Sequence, residues 1–399
     1  MKIAIERPPE DLLATTASAV AEPLNEPTAE RSALTSPTNG ASQASQSIGL
    51  PTGVGMLERL ETICVDQGLS GLAGRLDDMI GFLGTDLAAL EAELASIPRH
   101  RERVVGRAAD RLLDLGGKRL RPLCLALAAR IGGEVDQRVL DLAVAIELVH
   151  SATLLHDDVV DGADVRRGAA TARAVYGNAA SIFAGDWLLI EALRRVRRAE
   201  IPGLLEGLFD VIEEMIFAES LQLENRGRLS MNRETYFRVA EGKTASVFRW
   251  ALIAGGRAVD LDDAWVTALG DYGQHLGVTF QAVDDLLDLT GESTATGKEL
   301  FTDLREGKMT LPLILALERR PELRAVIEQI VALPIEAELP PGLAMTVIGH
   351  LRETQAVEDT RVIAHERSAR AVSALDIVPP SPARHALATV AEAIVDRDL

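Results

Sequence analysis

The amino-acid sequence predicts an all-α protein, a large helical bundle with buried central helices, on three observations. Apolar residues recur at helical steps from about residue 70 almost to the C-terminus, and no stretch of useful length alternates β-branched and polar residues. Several of the periodic segments are also too apolar to stand alone in water. Such helices are stable when packed on one another, which is the helix-on-helix solution.

Residues 1–55 precede this pattern and lack it. They are rich in Pro, Ser, Thr, Ala and Glu, with little to bury, and read as a disordered arm followed by a linker or short helix over 56–71. From there one helical domain is expected over 72–399. It opens with Leu72, Leu76, Met79, Leu83, Leu87, Leu90 and Leu94, spaced by three and four along one face and ended by Pro98. The same period continues through RVLDLAVAIELVHSATLLHDDVV, GLLEGLFDVIEEMIFAESLQLE, VTALGDYGQHLGVTFQAVDDLLDLT and LPLILALERR. Punctuation is expected at Gly116–Gly117, Gly132–Gly133, Gly255–Gly256, Gly291 and Pro340–Pro341.

The bulk properties exclude several functions. Of 399 residues, 47% are hydrophobic and 25% charged, as in globular proteins. With 60 acidic against 41 basic residues, the net charge of −19 argues against nucleic acid as a partner. Cys64 and Cys124 are far apart and lack metal-ligand spacing, so both are expected to be packing residues of a cytoplasmic, reducing compartment. No secretion signal and no membrane span are expected.

One acidic pattern, D-D-x-x-D, occurs twice: Asp157, Asp158 and Asp161 in HDDVVD, and Asp284, Asp285 and Asp288 in VDDLLD. On a helix the first and last aspartates point the same way and repel, and both sets are flanked by apolar residues rather than by a solvated face. A bound cation offsets that cost. Hard oxygens at this spacing suit Mg²⁺, which is held by one or two carboxylates together with water and substrate phosphate, so a phosphorylated substrate is implied. In GGKRLRP, two glycines lead into Lys118, Arg119 and Arg121 at a helix start, an arrangement favourable to a phosphate. The cluster RRVRR, Arg194 to Arg198, reads as a solvated face. EGKTA holds Lys243 and Thr244, Gln281 lies three residues before the second acidic set, and GKELFTDLREGKMTLP contributes Lys298, Asp303 and Lys308. His150, seven residues before Asp157, reads by itself as a core histidine.

In their order, GGKRLRP, HDDVVDGADVRRG, GKT, FQAVDDLLD and EGKMTLP closely resemble the motifs of the trans-isoprenyl diphosphate synthases, or polyprenyl synthetases, over about residues 72–399. The likeness is greatest to the long-chain, octaprenyl and nonaprenyl branch. It implies a catalytic domain over 72–399, an all-α bundle around a central cavity, usually a homodimer, with the two acidic motifs facing each other across the cavity mouth. It implies Mg²⁺ bound by Asp157, Asp161 and Asp284, with Asp158, Asp285 and Asp288 completing the metal motifs. Arg166, Lys243, Thr244, Gln281 and Lys298 would contact the allylic diphosphate, and Lys118, Arg121, His150 and Arg167 would hold isopentenyl diphosphate. Asp157, Asp161, Lys243, Thr244, Gln281 and Asp284 form the implied catalytic set. The implied reaction adds isopentenyl diphosphates in succession, with peripheral membrane contact for product release.

Small residues at Ala152 and Thr153, below Asp157, and only Val159 and Val160 between Asp158 and Asp161, also resemble the longer-chain branch. Phe301 stands where the family commonly has glycine, and Thr302 where it often has an acidic residue. The C-terminus carries only Arg397 where many members are more basic. Competing readings are a shorter-chain geranylgeranyl or farnesyl synthase, a terpene cyclase with one diphosphate site, and a non-catalytic synthase subunit. The second cationic cluster and the intact second acidic motif argue against the last two.

Overall fold

The structure is a computed structural model describing residues 70–396 apart from 98–99, 118, 167, 291–300, 335–336 and 338. The expected arm, the expected linker up to residue 69, Cys64, Lys118, Arg167, Gly291, Lys298 and Arg397 lie outside the described residues.

The described chain is helical almost throughout: α1 Ser70–Ser96, α2 Val104–Asp114, α3 Leu120–Ala129, α4 Gln137–Val160, α5 Ala172–Tyr176, α6 Asn178–Ala199, α7 Leu204–Asn225 and α8 Arg233–Ala240. A π-turn, Glu241–Ala245, joins α8 to α9 Ser246–Ala258, and α10 Asp263–Thr290 follows. The remainder is α11 Thr302–Arg305, α12 Leu311–Arg319, α13 Leu323–Val331, α14 Pro341–Glu353, α15 Ala356–Ala374 and α16 Pro382–Val395, with a 3₁₀ turn at Leu375–Ile377. One antiparallel hairpin departs from the all-α expectation. It pairs Val165 with Ala170 and Arg166 with Ala169, directly after the first acidic motif.

Met79, Leu83, Leu87, Leu90 and Leu94 are all buried, so the spacing read in α1 is its core face. Helix α4 starts at Asp136, whose carboxylate accepts a hydrogen bond from Val139 N at 3.0 Å. Leu142 to Ile146 and Leu148 are buried on every side of the helix, which makes α4 a central element. Its length and apolarity would also suffice to cross a membrane, although it carries Asp141 and Glu147 in its buried part. Helix α4 packs chiefly on α6, α10 packs on α15 and α9, and α9 packs on α3. Two apolar clusters result: a large one built from α1–α7, α9 and α10 with α15 and α16, and a smaller one joining α8 and the end of α10 to α11–α14 and the start of α15.

Two expectations are corrected. Gly255 and Gly256 do not punctuate the chain; they lie inside α9. A Cβ at Gly255 would come 2.3 Å from Leu125 O, so this glycine admits the backbone of α3. The RRVRR cluster is not uniformly solvated either. Arg195 is buried and donates to Asp141 at 3.0 Å and Glu93 at 3.2 Å, while Arg198 donates to Asp141 at 3.4 Å. Burial pushes the Asp141 carboxyl up, and Arg198 and Arg195 oppose it. Cys124 is buried in the core, with its thiol pushed up to about 12 by burial.

Candidate active site

The first acidic motif ends α4, and its carboxylates face cations drawn from distant segments. Asp157 Oδ2 lies 3.4 Å from Lys243 Nζ, which also donates to Glu219 at 2.5 Å and Gln222 at 3.2 Å. Burial raises the Asp157 carboxyl; Lys243 opposes this, while Glu219 and Asp161 add to it. On Lys243, burial favours loss of the proton, but Asp157 and Glu219 outweigh it and the ammonium is held raised. Asp158 is buried and accepts from Arg166 Nε of the hairpin at 2.7 Å. Burial raises Asp158 and the Arg166 charge opposes it. Asp161, the C-cap residue, accepts from Lys308 Nζ at 2.8 Å and lies 3.3 Å from Arg226 Nη1. Glu306 completes this cluster, pairing with Lys308 at 2.8 Å.

The second motif lies near the end of α10 and has different partners. Asp285 is 2% exposed; its Oδ1 accepts from Gln281 Nε2 at 2.9 Å and its Oδ2 from Leu311 N at 2.9 Å. Burial pushes Asp285 up to about 7 and Asp303 adds to this, against the lowering effect of Leu311 N–H and Gln281. Asp288, also buried, accepts from the Thr302 backbone N–H at 3.0 Å. Its own carbonyl accepts from Phe301 N at 2.9 Å. Asp284 is half-buried.

The π-turn Glu241–Ala245 joins the two motifs, because its Lys243 reaches Asp157 while Thr244 Oγ1 donates to Gln281 Oε1 at 3.0 Å. A π-turn inside a helix is a common feature of functional sites. Its close packing depends on glycine. A Cβ at Gly277 of α10 would lie 2.3 Å from Ala245 Cα, and one at Gly242 would lie 2.8 Å from Ala218 Cβ.

The GGKRLRP segment divides. Gly116, at φ 66°, closes α2. Arg119 does not offer its charge to a ligand: it is buried and donates to Glu147 at 2.6 Å and Glu91 at 2.9 Å. Arg121 lies in the first turn of α3, with its guanidinium carbon 4.9 Å from the Phe248 ring centre. His150 is half-buried on α4. Phe301 adopts the left-handed backbone, φ 63° and ψ 27°, which glycine would adopt without strain, and its ring is fully buried in the smaller cluster. Sequence reading missed Glu219, Gln222 and Arg226, whose motif-free surroundings give no local signal. It named Lys308 without assigning it a partner.

Among the described residues, no three carboxylate, histidine or cysteine side chains converge closely enough to hold a metal by themselves. The donors are nevertheless hard oxygens gathered around ammonium groups, which suits an ion that takes its remaining ligands from water and a diphosphate.

A sequence model of the family described as Polyprenyl synthetase matches residues 102–338. The chain belongs to the polyprenyl synthetase family. It is a prenyltransferase of isoprenoid biosynthesis with the all-α isoprenoid synthase fold. This polyprenyl synthetase is 35% identical over 313 residues to the octaprenyl diphosphate synthase of Escherichia coli K12, covering 78% of this chain and 96% of that one. It is also 35% identical over 324 residues to heptaprenyl diphosphate synthase component 2 of Geobacillus stearothermophilus, covering 81% and 99%. A crystal structure of a Caulobacter crescentus CB15 polyprenyl synthase, complexed with calcium and isoprenyl diphosphate, matches with a TM-score of 0.75 at 33% identity, covering 81% of this chain and 98% of that one.

Proposed function

We propose that this polyprenyl synthetase condenses an allylic diphosphate with successive isopentenyl diphosphates, using Mg²⁺, to make a long all-trans polyprenyl diphosphate of octaprenyl or nonaprenyl type. The π-turn that ties Lys243 to the first acidic motif and Thr244 to the second carries this reading, because it assembles a cation-balanced carboxylate site beside oriented neutral oxygens.

Asp157, Asp161 and Asp284 would hold the metal. When bound, Mg²⁺ supplies charge stabilisation for the departing diphosphate. Lys243, Arg166 and Lys298 neutralise the same leaving group as its charge grows. Lys118, Arg121, His150 and Arg167 bind isopentenyl diphosphate, whose double bond attacks the allylic carbon. Thr244 and Gln281 turn oxygens toward the positive charge that forms there, and the apolar surroundings keep water from capturing it.

Long products are supported by the octaprenyl and heptaprenyl relatives and by the small residues below Asp157. Thr153 shares the face of Asp157, four residues on, and its hydroxyl donates back to His150 O at 2.8 Å. Ala152 is buried in the main apolar cluster. Ala152→Phe should shorten the products while allylic ionisation survives.

The enzyme is proposed to act in the cytoplasm as a homodimer. Ile182, Phe183 and Ile190 of α6 and Phe209, Ile216 and Phe217 of α7 are exposed, an apolar set suited to a second copy. The relative named as a component 2 favours a second reading, in which a different chain covers this face.

Purified chain, farnesyl diphosphate and labelled isopentenyl diphosphate test the proposal when products are resolved by length. Long products with Mg²⁺ and none in chelator are expected. Full turnover in chelator, or products stopping at geranylgeranyl, would overturn the metal or the chain-length reading respectively. Activity of the chain alone, with a dimer mass lost in Phe217→Asp, separates homodimer from heteromer.

A further inference from the structure

Thr244, Gln281 and Asp285 form a hydrogen-bond chain whose direction is set from its buried end. Asp285 accepts the Leu311 N–H on Oδ2 and, on Oδ1 at 2.9 Å, the amide nitrogen Nε2 of Gln281. The carbonyl Oε1 is thereby left facing Thr244. An amide carbonyl only accepts, so Thr244 must spend its single hydroxyl hydrogen on Gln281. The lone pairs of Thr244 are then what it offers to anything else beside it. Asp285 is itself fixed, because its second oxygen accepts from Leu311 N and the residue is buried.

We propose that Asp285 is a positioning residue and not a metal ligand: by fixing the direction of this chain it keeps the Thr244 oxygen, and not its hydrogen, toward the allylic carbon as positive charge develops. This rests on the reaction proposed above. A hydroxyl turned hydrogen-first would repel that charge, whereas a dipole already turned oxygen-first stabilises it without reorganisation.

Asp285→Asn should reverse the chain. The introduced asparagine can still accept from Leu311 N, but its amide nitrogen then donates to Gln281 Oε1. Gln281 Nε2 turns to Thr244 Oγ1, and the Thr244 hydrogen is turned outward. The expected result is a kcat lower by about 10²-fold. The KM values and the Mg²⁺ activation constant should stay within about twofold of wild type. When Asp285→Asn is combined with Gln281→Glu, the introduced glutamate accepts from both neighbours, so the Thr244 hydrogen again points toward residue 281. In that double variant kcat should recover by about tenfold or more over the single variant. A Mg²⁺ constant shifted in Asp285→Asn as far as in Asp284→Asn would make Asp285 a metal ligand and overturn the proposal. So would a double variant that folds normally yet recovers nothing. Neutron diffraction from deuterated crystals reads the direction without turnover, and so remains decisive even if the enzyme proves to use other substrates. Deuterium bound to Thr244 Oγ1 and aimed at Gln281 is expected; deuterium on the Gln281 atom facing Thr244 would contradict it.

Discussion

Asp157, Asp158 and Asp161 are each met by a lysine or an arginine, whereas Asp285 accepts from the Gln281 side-chain amide and the Leu311 backbone N–H. The two motifs have the same letters, D-D-x-x-D, but their surroundings suit different work. A carboxylate balanced by a flexible ammonium can exchange that cation for another, and its partner can move to a diphosphate. A carboxylate held by a helix start and an amide cannot move without breaking the local fold. The first motif is accordingly suited to exchanging charge. In the second, the backbone and the Gln281 amide hold Asp285 in place, while Asp284 is half-buried.

The largest effect should come from removing a carboxylate that exchanges cations. Asp157→Asn is expected to lower turnover by about 10²-fold or more at saturating substrate, with the helical circular dichroism unchanged. Asp158→Asn, which disturbs the Arg166 contact, should cost less. Equal losses in initial-rate assays would erase the distinction drawn within the first motif.

Arg195 supplies a contrast, since its ion pairs lie in the core away from the reaction. Arg195→Ala leaves Asp141 buried without its closest partner and should cost about 3–5 kcal/mol in denaturant unfolding. Arg194→Ala on the exposed side should stay within about 0.5 kcal/mol. If both cost the same, the buried cluster is not what holds α6 to α4.

A smaller effect concerns Asp285 and pH. Its folded value of about 7 lies above the ordinary carboxylate range of the unfolded chain. Above pH 7 it is ionised in both states, and its burial costs stability. As pH falls below 7, the folded protein takes up the proton first and that cost is relieved. Asp285→Asn in ligand-free enzyme should therefore raise the melting temperature by about 2–4 °C at pH 8, with the gap narrowing by pH 5. A melting temperature lowered at pH 8 would show that the charge is stabilising instead.

Much of this was legible in the sequence. The period of three and four identified the helices, the repeated acidic pattern picked out the two helix ends that meet at the π-turn, and GKT pointed to Lys243 and Thr244. Illegible features depended on partners far away in the chain. Lys308 and Asp161 are 147 positions apart, and Arg195 and Asp141 are 54 apart, so neither pairing leaves a local trace. Gly255–Gly256 misled because a glycine that admits a neighbouring backbone looks the same in sequence as one that ends a helix. The π-turn at EGKTA is hidden for a similar reason, since its widening depends on packing against Gly277 and α7.

The division of labour between the motifs is tested most directly by calorimetric titration of Mg²⁺ into the enzyme with inorganic diphosphate present, which requires no turnover. Wild type and Asp285→Asn should bind alike, while Asp157→Asn should bind at least about tenfold more weakly. Equal weakening in Asp157→Asn and Asp285→Asn would contradict the account.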